Sequence, residues 1–158
     1  MNDLNEMAGI KVLIIEDSDT EYKLMSGALR NEFPEIEISR AETLAEAREK
    51  QAENDLLVLD LGLPDCNFFQ ILEFIRNCCC AVTIYSATTD QDVITATAQA
   101  GALCFVCKGT PAHQLAAGLL FTFSEFRRSN EQKRQRRQRI QDLRVRMRAV
   151  PLGVDGQP

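Results

Sequence analysis

The sequence predicts an α/β protein: a doubly wound parallel sheet of five strands in the order 2-1-3-4-5, with five helices, the last extended. Three observations predict it. Five short runs rich in Val, Ile and Leu alternate with five segments of helical periodicity. The first and third runs are the most continuously apolar, as central strands covered on both faces are. Four runs also end on polar residues: 12–15 leads into Glu16 and Asp17, 56–59 into Asp60, 82–85 into Ser86, and 104–107 into Lys108. The carboxyl ends of parallel strands open into one crevice, so these side chains are expected to converge there.

Each element has a local reason. Strands are expected over 10–15, 35–39, 56–59, 81–85 and 103–107. The first helix, over 20–32, places Tyr22, Met25, Leu29 and Phe33 at spacings of three and four and stops before Pro34. Asp17 is an equal candidate for capping this helix. The second helix follows a capping box from Thr43 to Glu46, with Leu44, Ala47 and Ala52 as a weak apolar stripe. The third turns Phe68, Ile71, Leu72 and Ile75 inward and leaves Phe69 partly exposed. The fourth, over 90–100, is capped by Thr89 or Asp90, anchored by Val93 and Ile94, and closed by Gly101. The fifth opens with Thr110 as cap and Pro111 in the first turn. Beyond Pro111 only Gly118 interrupts the helix formers before Val150, so this helix can run far past the sheet.

Composition narrows the function classes. A chain of 158 residues holds one ordinary domain with an extension. No run of about 18 apolar residues occurs, so no membrane insertion is expected. The amino terminus carries Asp3 and Glu6 with no basic residue ahead of an apolar stretch, unlike a secretory signal, and a cytoplasmic location is expected. The net charge of −5 hides an asymmetry: residues 1–126 hold 8 Lys or Arg against 20 Asp or Glu, and residues 127–148 hold 10 against 2. An acidic body carries a basic segment. Six cysteines do not form a metal pattern: Cys78, Cys79 and Cys80 are consecutive, and Cys104 and Cys107 point to opposite faces of one strand. They read as reduced, small hydrophobes.

The ordered set of strand-end residues resembles the receiver domains of bacterial two-component response regulators, CheY-like and flavodoxin-like in fold, over residues 9–126. The matching motifs are the acidic pair Glu16-Asp17, the run from Asp60 through Gly62 and Pro64 to Asp65, Ser86-Ala87, and Gly101-Ala102 through Phe105 to Lys108. The resemblance implies that Asp60 is a phosphoacceptor loaded by a histidine kinase or phosphotransfer protein. It implies Mg²⁺, or Mn²⁺, held by Asp17, Asp60 and the backbone oxygen of Gly62, with Glu16 acting through a bound water. Lys108 and Ser86 would contact the phosphoryl oxygens, and Ser86 with Phe105 would form the switch. Output is then expected from the face of the fourth helix, fifth strand and fifth helix, or from the carboxyl-terminal helix.

The set departs from the family where Gly109 replaces the usual proline after the lysine, and where 65–69 lacks the usual glycine. Phe105 has no hydroxyl and can switch by packing alone. His113 reads as a surface residue. Residues 127–150 are a basic extension in which Ile140, Leu143, Met147 and Val150 have heptad-like spacing. A short coiled coil giving a homodimer, a partner-binding helix and a linker all fit it, and nucleic-acid contact is supported only as nonspecific. Residues 151–158 read as a flexible tail.

Two function classes therefore stand: a phosphoacceptor signalling domain rather than an enzyme, and a phosphorylation-independent adaptor or dimerisation scaffold acting through the last helix. A Mg²⁺-dependent phosphatase is disfavoured, because Asp60 is followed two residues later by Gly62 rather than by a second acid.

Overall fold

The computed structural model describes residues 6–149, in two compact units whose sequence boundary falls between Glu125 and Phe126. Val150 and the segment 151–158 lie outside the described residues. In the first unit β1 (Lys11–Ile15), α1 (Asp19–Glu32), β2 (Glu37–Ala41), α2 (Leu44–Lys50), β3 (Leu56–Leu59), α3 (Phe68–Asn77), β4 (Ala81–Ser86), α4 (Gln91–Ala100) and β5 (Cys104–Cys107) alternate, followed by α5 (Ala112–Ala149). The sheet is parallel throughout with the expected order β2-β1-β3-β4-β5. Every residue of β3, and Val12 to Ile15 of β1, is buried, which is why those two runs carry no polar side chain.

Local chemistry sets the ends of the elements. β2 starts two residues later than the sequence suggests, because the Ile36 N–H folds back onto the Phe33 carbonyl at 3.3 Å in a turn around Pro34. Ser18, not Asp17, caps α1: its hydroxyl accepts from the Glu21 N–H at 3.4 Å. Thr110 is no cap for α5, since its hydroxyl donates to the Cys107 carbonyl at 2.7 Å. Asn67 and Gln70 form a reciprocal capping box on α3, and Asp90 caps α4. Ala52 falls in a 3₁₀ turn after α2 and is exposed, leaving Leu44 and Ala47 as the buried residues of α2. α4 is held by Thr97 and Ala100, while Val93 and Ile94 are half-buried. That gives α4 a thin apolar anchor. Phe68 is half-buried against the core, and Phe69 is 70% exposed.

The amino end of α2 is closed from a distance. Asp65, in the loop after β3, accepts from the Leu44 N–H at 2.9 Å and the Ala45 N–H at 3.2 Å, and Thr43 serves the Glu46 and Ala47 N–H groups. The N–H groups of the first three helical residues, which have no partner within the helix, are thus each satisfied by a side chain. The bond from Leu44 leads the causes that hold the Asp65 carboxyl below the usual carboxylate range. Its folded pKa lies below the unfolded value, so its contribution is complete above about pH 4 and is lost as pH falls through the folded value. Asp65→Ala is expected to lower unfolding free energy by about 1 kcal/mol at pH 7, the usual cost of a lost cap, and by less at about pH 3.5. Urea melts at the two pH values check this.

All six cysteines are free thiols. The Cys80 thiol is shared between the Gln51 carbonyl at 2.9 Å and the Asn54 carbonyl at 3.0 Å, so it ties the α3–β4 turn to the end of α2.

Candidate functional site

Backbone ladders continue past the strand ends and set the site residues side by side. The Glu16 N–H donates to Ala41 at 3.0 Å, the Asp60 N–H to Ile15 at 3.1 Å, and the Lys108 N–H to Ser86 at 2.9 Å. The side chains that follow β1, β3 and β5 therefore meet in one crevice, with Ser86 at the end of β4 beside them. One carboxylate oxygen from each of Glu16, Asp17 and Asp60 lies within 4.8 Å of the others. Among the described residues no other group of three His, Cys, Asp or Glu ligand atoms is placed this closely.

The three acids differ in environment. Glu16 is 1% exposed, Asp60 is 7% exposed, and Asp17 faces solvent. Burial pushes the Glu16 carboxyl above the usual range, against the pull of the Ser18 N–H at 3.0 Å and the Lys108 ammonium at 3.0 Å. Lys108 reaches Asp60 Oδ1 at 3.4 Å and Glu21 at 3.9 Å, and sits 5.7 Å from the Tyr85 ring centroid. Burial works against its charge, but the bond to Glu16 and the charge of Asp60 outweigh it and raise the Lys108 pKa. One ammonium therefore bridges two buried acids, and its shortest contact is to Glu16, the residue expected to act through water.

Ser86 is buried at the end of β4, and its hydroxyl accepts a 3.4 Å bond from the Thr88 N–H. Phe105 is half-buried on β5 and packs on the core. Together with Ile94, Thr97, Ala98, Ala102 and Leu103 it lines a cavity of about 90 Å³ between α4 and β5. Gly62 lies on the Asp60 carboxylate: a Cβ placed there would stand 3.5 Å from Asp60 Oδ2. Gly109 takes φ +85°, a conformation that favours glycine, directly after Lys108. His113 is exposed.

Sequence reasoning missed Arg40, at the carboxyl-terminal end of β2. Its guanidinium donates to the Glu16 carbonyl at 3.1 Å, the Asp17 carbonyl at 3.1 Å and the Asp19 carboxylate at 2.7 Å, and lies 4.7 Å from the Tyr22 ring centroid. Arg40 thereby pins the loop that presents both acids. No local pattern marks it, because the strand also carries Glu37 and the contacts of Arg40 depend on the pairing of β2 with β1.

Residues 12–119 match the response regulator receiver domain family, and the chain belongs to that family. It is a signalling domain of two-component systems; phosphorylation and Mg²⁺ binding at an acidic pocket are typical of the family. Among solved structures the chain is similar to the signal receiver domain of a protein described as a Luxo repressor from Vibrio parahaemolyticus, at 25% identity and TM-score 0.69, covering 77% of this chain and 95% of that one. It is also similar to a CheY-like response regulator receiver domain protein from Methanospirillum hungatei, at 19% identity and TM-score 0.66, covering 77% and 99%. The phosphorylated cyanobacterial phytochrome response regulator RcpA is 23% identical with TM-score 0.60, covering 75% and 94%. Among curated proteins no relative matches. Among the described residues no helix is long and apolar enough to cross a membrane.

Proposed function

We propose that Asp60 accepts a phosphoryl group from a histidine kinase or phosphotransfer protein, and that the loaded site changes the protein's contacts with a downstream partner. The observation that carries this reading is the placement of the Lys108 ammonium 3.4 Å from Asp60 Oδ1, beside three carboxylates whose oxygens lie within 4.8 Å. An aspartate attacking a phosphoryl group meets like charge, so fixed cations must absorb the charge on the transferring oxygens. The N–P bond of a phosphohistidine breaks as the O–P bond to Asp60 forms, giving an acyl phosphate.

The donor set fits a hard divalent cation: Asp17, Asp60 and the Gly62 carbonyl would hold Mg²⁺ or Mn²⁺, with Glu16 bound through water. Bound there, the cation supplies positive charge to the phosphoryl oxygens. Arg40 would act on it indirectly, by fixing the Glu16 and Asp17 backbone. Arg40→Ala is expected to weaken Mg²⁺ binding by about tenfold, the lower end for a lost outer partner of metal ligands, as read by titration calorimetry.

Lys108 and Ser86 would then take two phosphoryl oxygens, and Ser86 moving toward the new group would let Phe105 rotate inward. The cavity of about 90 Å³ against Phe105 and the thin anchor of α4 support a switch through the α4–β5–α5 face. A cavity of about 310 Å³ beside Lys108, lined by residues including Leu24, Met25, Tyr85 and Leu115, supports docking of the phosphodonor protein there. We read residues 9–126 as the receiver, 127–150 as a separate basic segment, and the whole as cytoplasmic.

The test is incubation with Mg²⁺ and a small acyl phosphate or phosphoramidate. About one acid-stable, base-labile phosphate per chain is expected, and none in Asp60→Asn. No incorporation, or equal incorporation in the variant, removes the phosphoacceptor claim and leaves the scaffold reading.

A further inference from the structure

The receiver reading leaves the second unit unused. Every residue from Arg127 to Ala149 of α5 is exposed, and residues 127–148 carry 10 Lys or Arg against 2 acids, a net of +8. Both acids are already subtracted in that net, and each accepts a bond from a side-chain amide. Glu131 accepts from the Gln135 amide at 3.1 Å and Asp142 from the Gln138 amide at 2.9 Å. Among the described residues no ion pair holds Lys133, Arg134, Arg136, Arg137 or Arg139.

Charge density and its distribution select the partner. At 1.5 Å per residue these 22 residues span about 33 Å, roughly one net charge per 4 Å, close to the spacing of about 3.4 Å between phosphates along one DNA strand. At about 100° per residue, the five cations from Lys133 to Arg139 spread over roughly 220° of the helix circumference. A helix lying on a flat anionic membrane needs its charge on one side and a broad apolar face on the other. Here the short stripe of Ile140, Leu143 and Met147 is ended by Arg136 one turn before it, and residues 127–149 contain no aromatic side chain. Pairing with the same helix of a second copy would set +8 against +8. A groove flanked by two phosphate backbones meets cations on both sides, and the DNA major groove, about 12 Å wide, admits an α-helix.

We propose that residues 126–149 are a sequence-independent binding element for duplex DNA, neutralising phosphates on both walls of a groove. Sequence independence follows from the contact type, because phosphate contacts position a protein without reading bases. Neutralising about six to eight phosphates releases as many counterions, so the logarithm of the binding constant falls against the logarithm of salt with slope about −5 to −7.

The test uses the full chain and fluorescence anisotropy with two unrelated duplexes of about 24 base pairs, over about 50 to 200 mM salt. The slope just given is expected, with affinities for the two sequences within about threefold. The variant R134Q/R136Q/R137Q/R139Q, whose glutamines keep helix propensity, is expected to lose about 3.6 units of slope and more than about 100-fold in affinity at the lowest salt. The corresponding four Arg→Lys changes should keep the slope, and circular dichroism establishes that both variants retain their helix. Absence of binding at about 50 mM salt overturns the proposal, as does an unchanged slope in the glutamine variant. Equal or tighter binding to polyglutamate, or to vesicles containing phosphatidylserine, overturns it in favour of an acidic protein or a membrane surface.

Discussion

Lys108→Ala is expected to lower unfolding free energy by about 3 kcal/mol at pH 7.5 without divalent cations, at the low end for breaking a buried ion pair. Glu16 is 1% exposed and keeps only the Ser18 N–H once the 3.0 Å contact to the ammonium is gone. A buried carboxylate without a cation ionises at a cost or takes up a proton. The sign follows from the shift that burial already imposes: the folded pKa of Glu16 is raised, and loss of Lys108 raises it further. Between the unfolded and the new folded pKa the native state binds the extra proton, so stability falls as pH rises there, by at most about 1.4 kcal/mol per pH unit. The loss should accordingly be smaller at pH 5.5 than at pH 7.5. Urea melts of the wild type, Lys108→Ala and Lys108→Met at both pH values check this. The methionine keeps most of the stem, so a pH-independent loss confined to alanine would assign the effect to packing.

The same contact bears on the loaded site. A phosphoryl group on Asp60 held by Lys108 would share the ammonium with Glu16, which lies 3.0 Å from it. Glu16 therefore does more than border the cation position. Its carboxylate comes within reach of the lysine as well as the cation position, and couples the two through one buried group.

What was legible in the sequence was whatever a local pattern carries. The five apolar runs and the polar residues directly after them needed no knowledge of neighbours, and the sheet order followed from handedness and burial. The partners that hold the site are nonlocal. Arg40 reaches Glu16 and Asp17 only because β2 pairs with β1, and Asp65 caps α2 from 21 positions beyond Leu44. Neither distance appears in a periodicity. The choice of Ser18 over Asp17 as helix cap was also hidden, since both residue types cap well and only the backbone path decides. In α4 the large residues Val93 and Ile94 suggested the anchor, yet Thr97 and Ala100 face the core. Burial there falls on small side chains, and hydrophobicity alone does not report that.

Gly118→Ala is expected to destabilise the first unit by about 1 to 3 kcal/mol although alanine is the better helix former. A Cβ at this position stands 2.6 Å from Val106 Cγ2 and 3.3 Å from Cys104 Sγ, both on β5. In an open helix the change would gain up to about 1 kcal/mol of propensity. Here the overlap must be relieved by moving the helix or the strand, because a β-branched valine has little rotamer freedom with which to yield. Close by, the Thr83 and Thr122 hydroxyls share a buried 2.7 Å hydrogen bond that a shifted helix would stretch. Val106→Ala removes the obstructing methyl and leaves a cavity, a loss of about 1 to 2 kcal/mol by itself. In the double variant the new Cβ occupies that space, so the two losses should fall short of additivity by about 1 kcal/mol or more. Additive losses in a double-mutant cycle by chemical denaturation would mean that Gly118 serves something other than the approach of α5 to β5. A shortfall would place the fit of the helix within one methyl group of the strand that carries Phe105 and leads into Lys108.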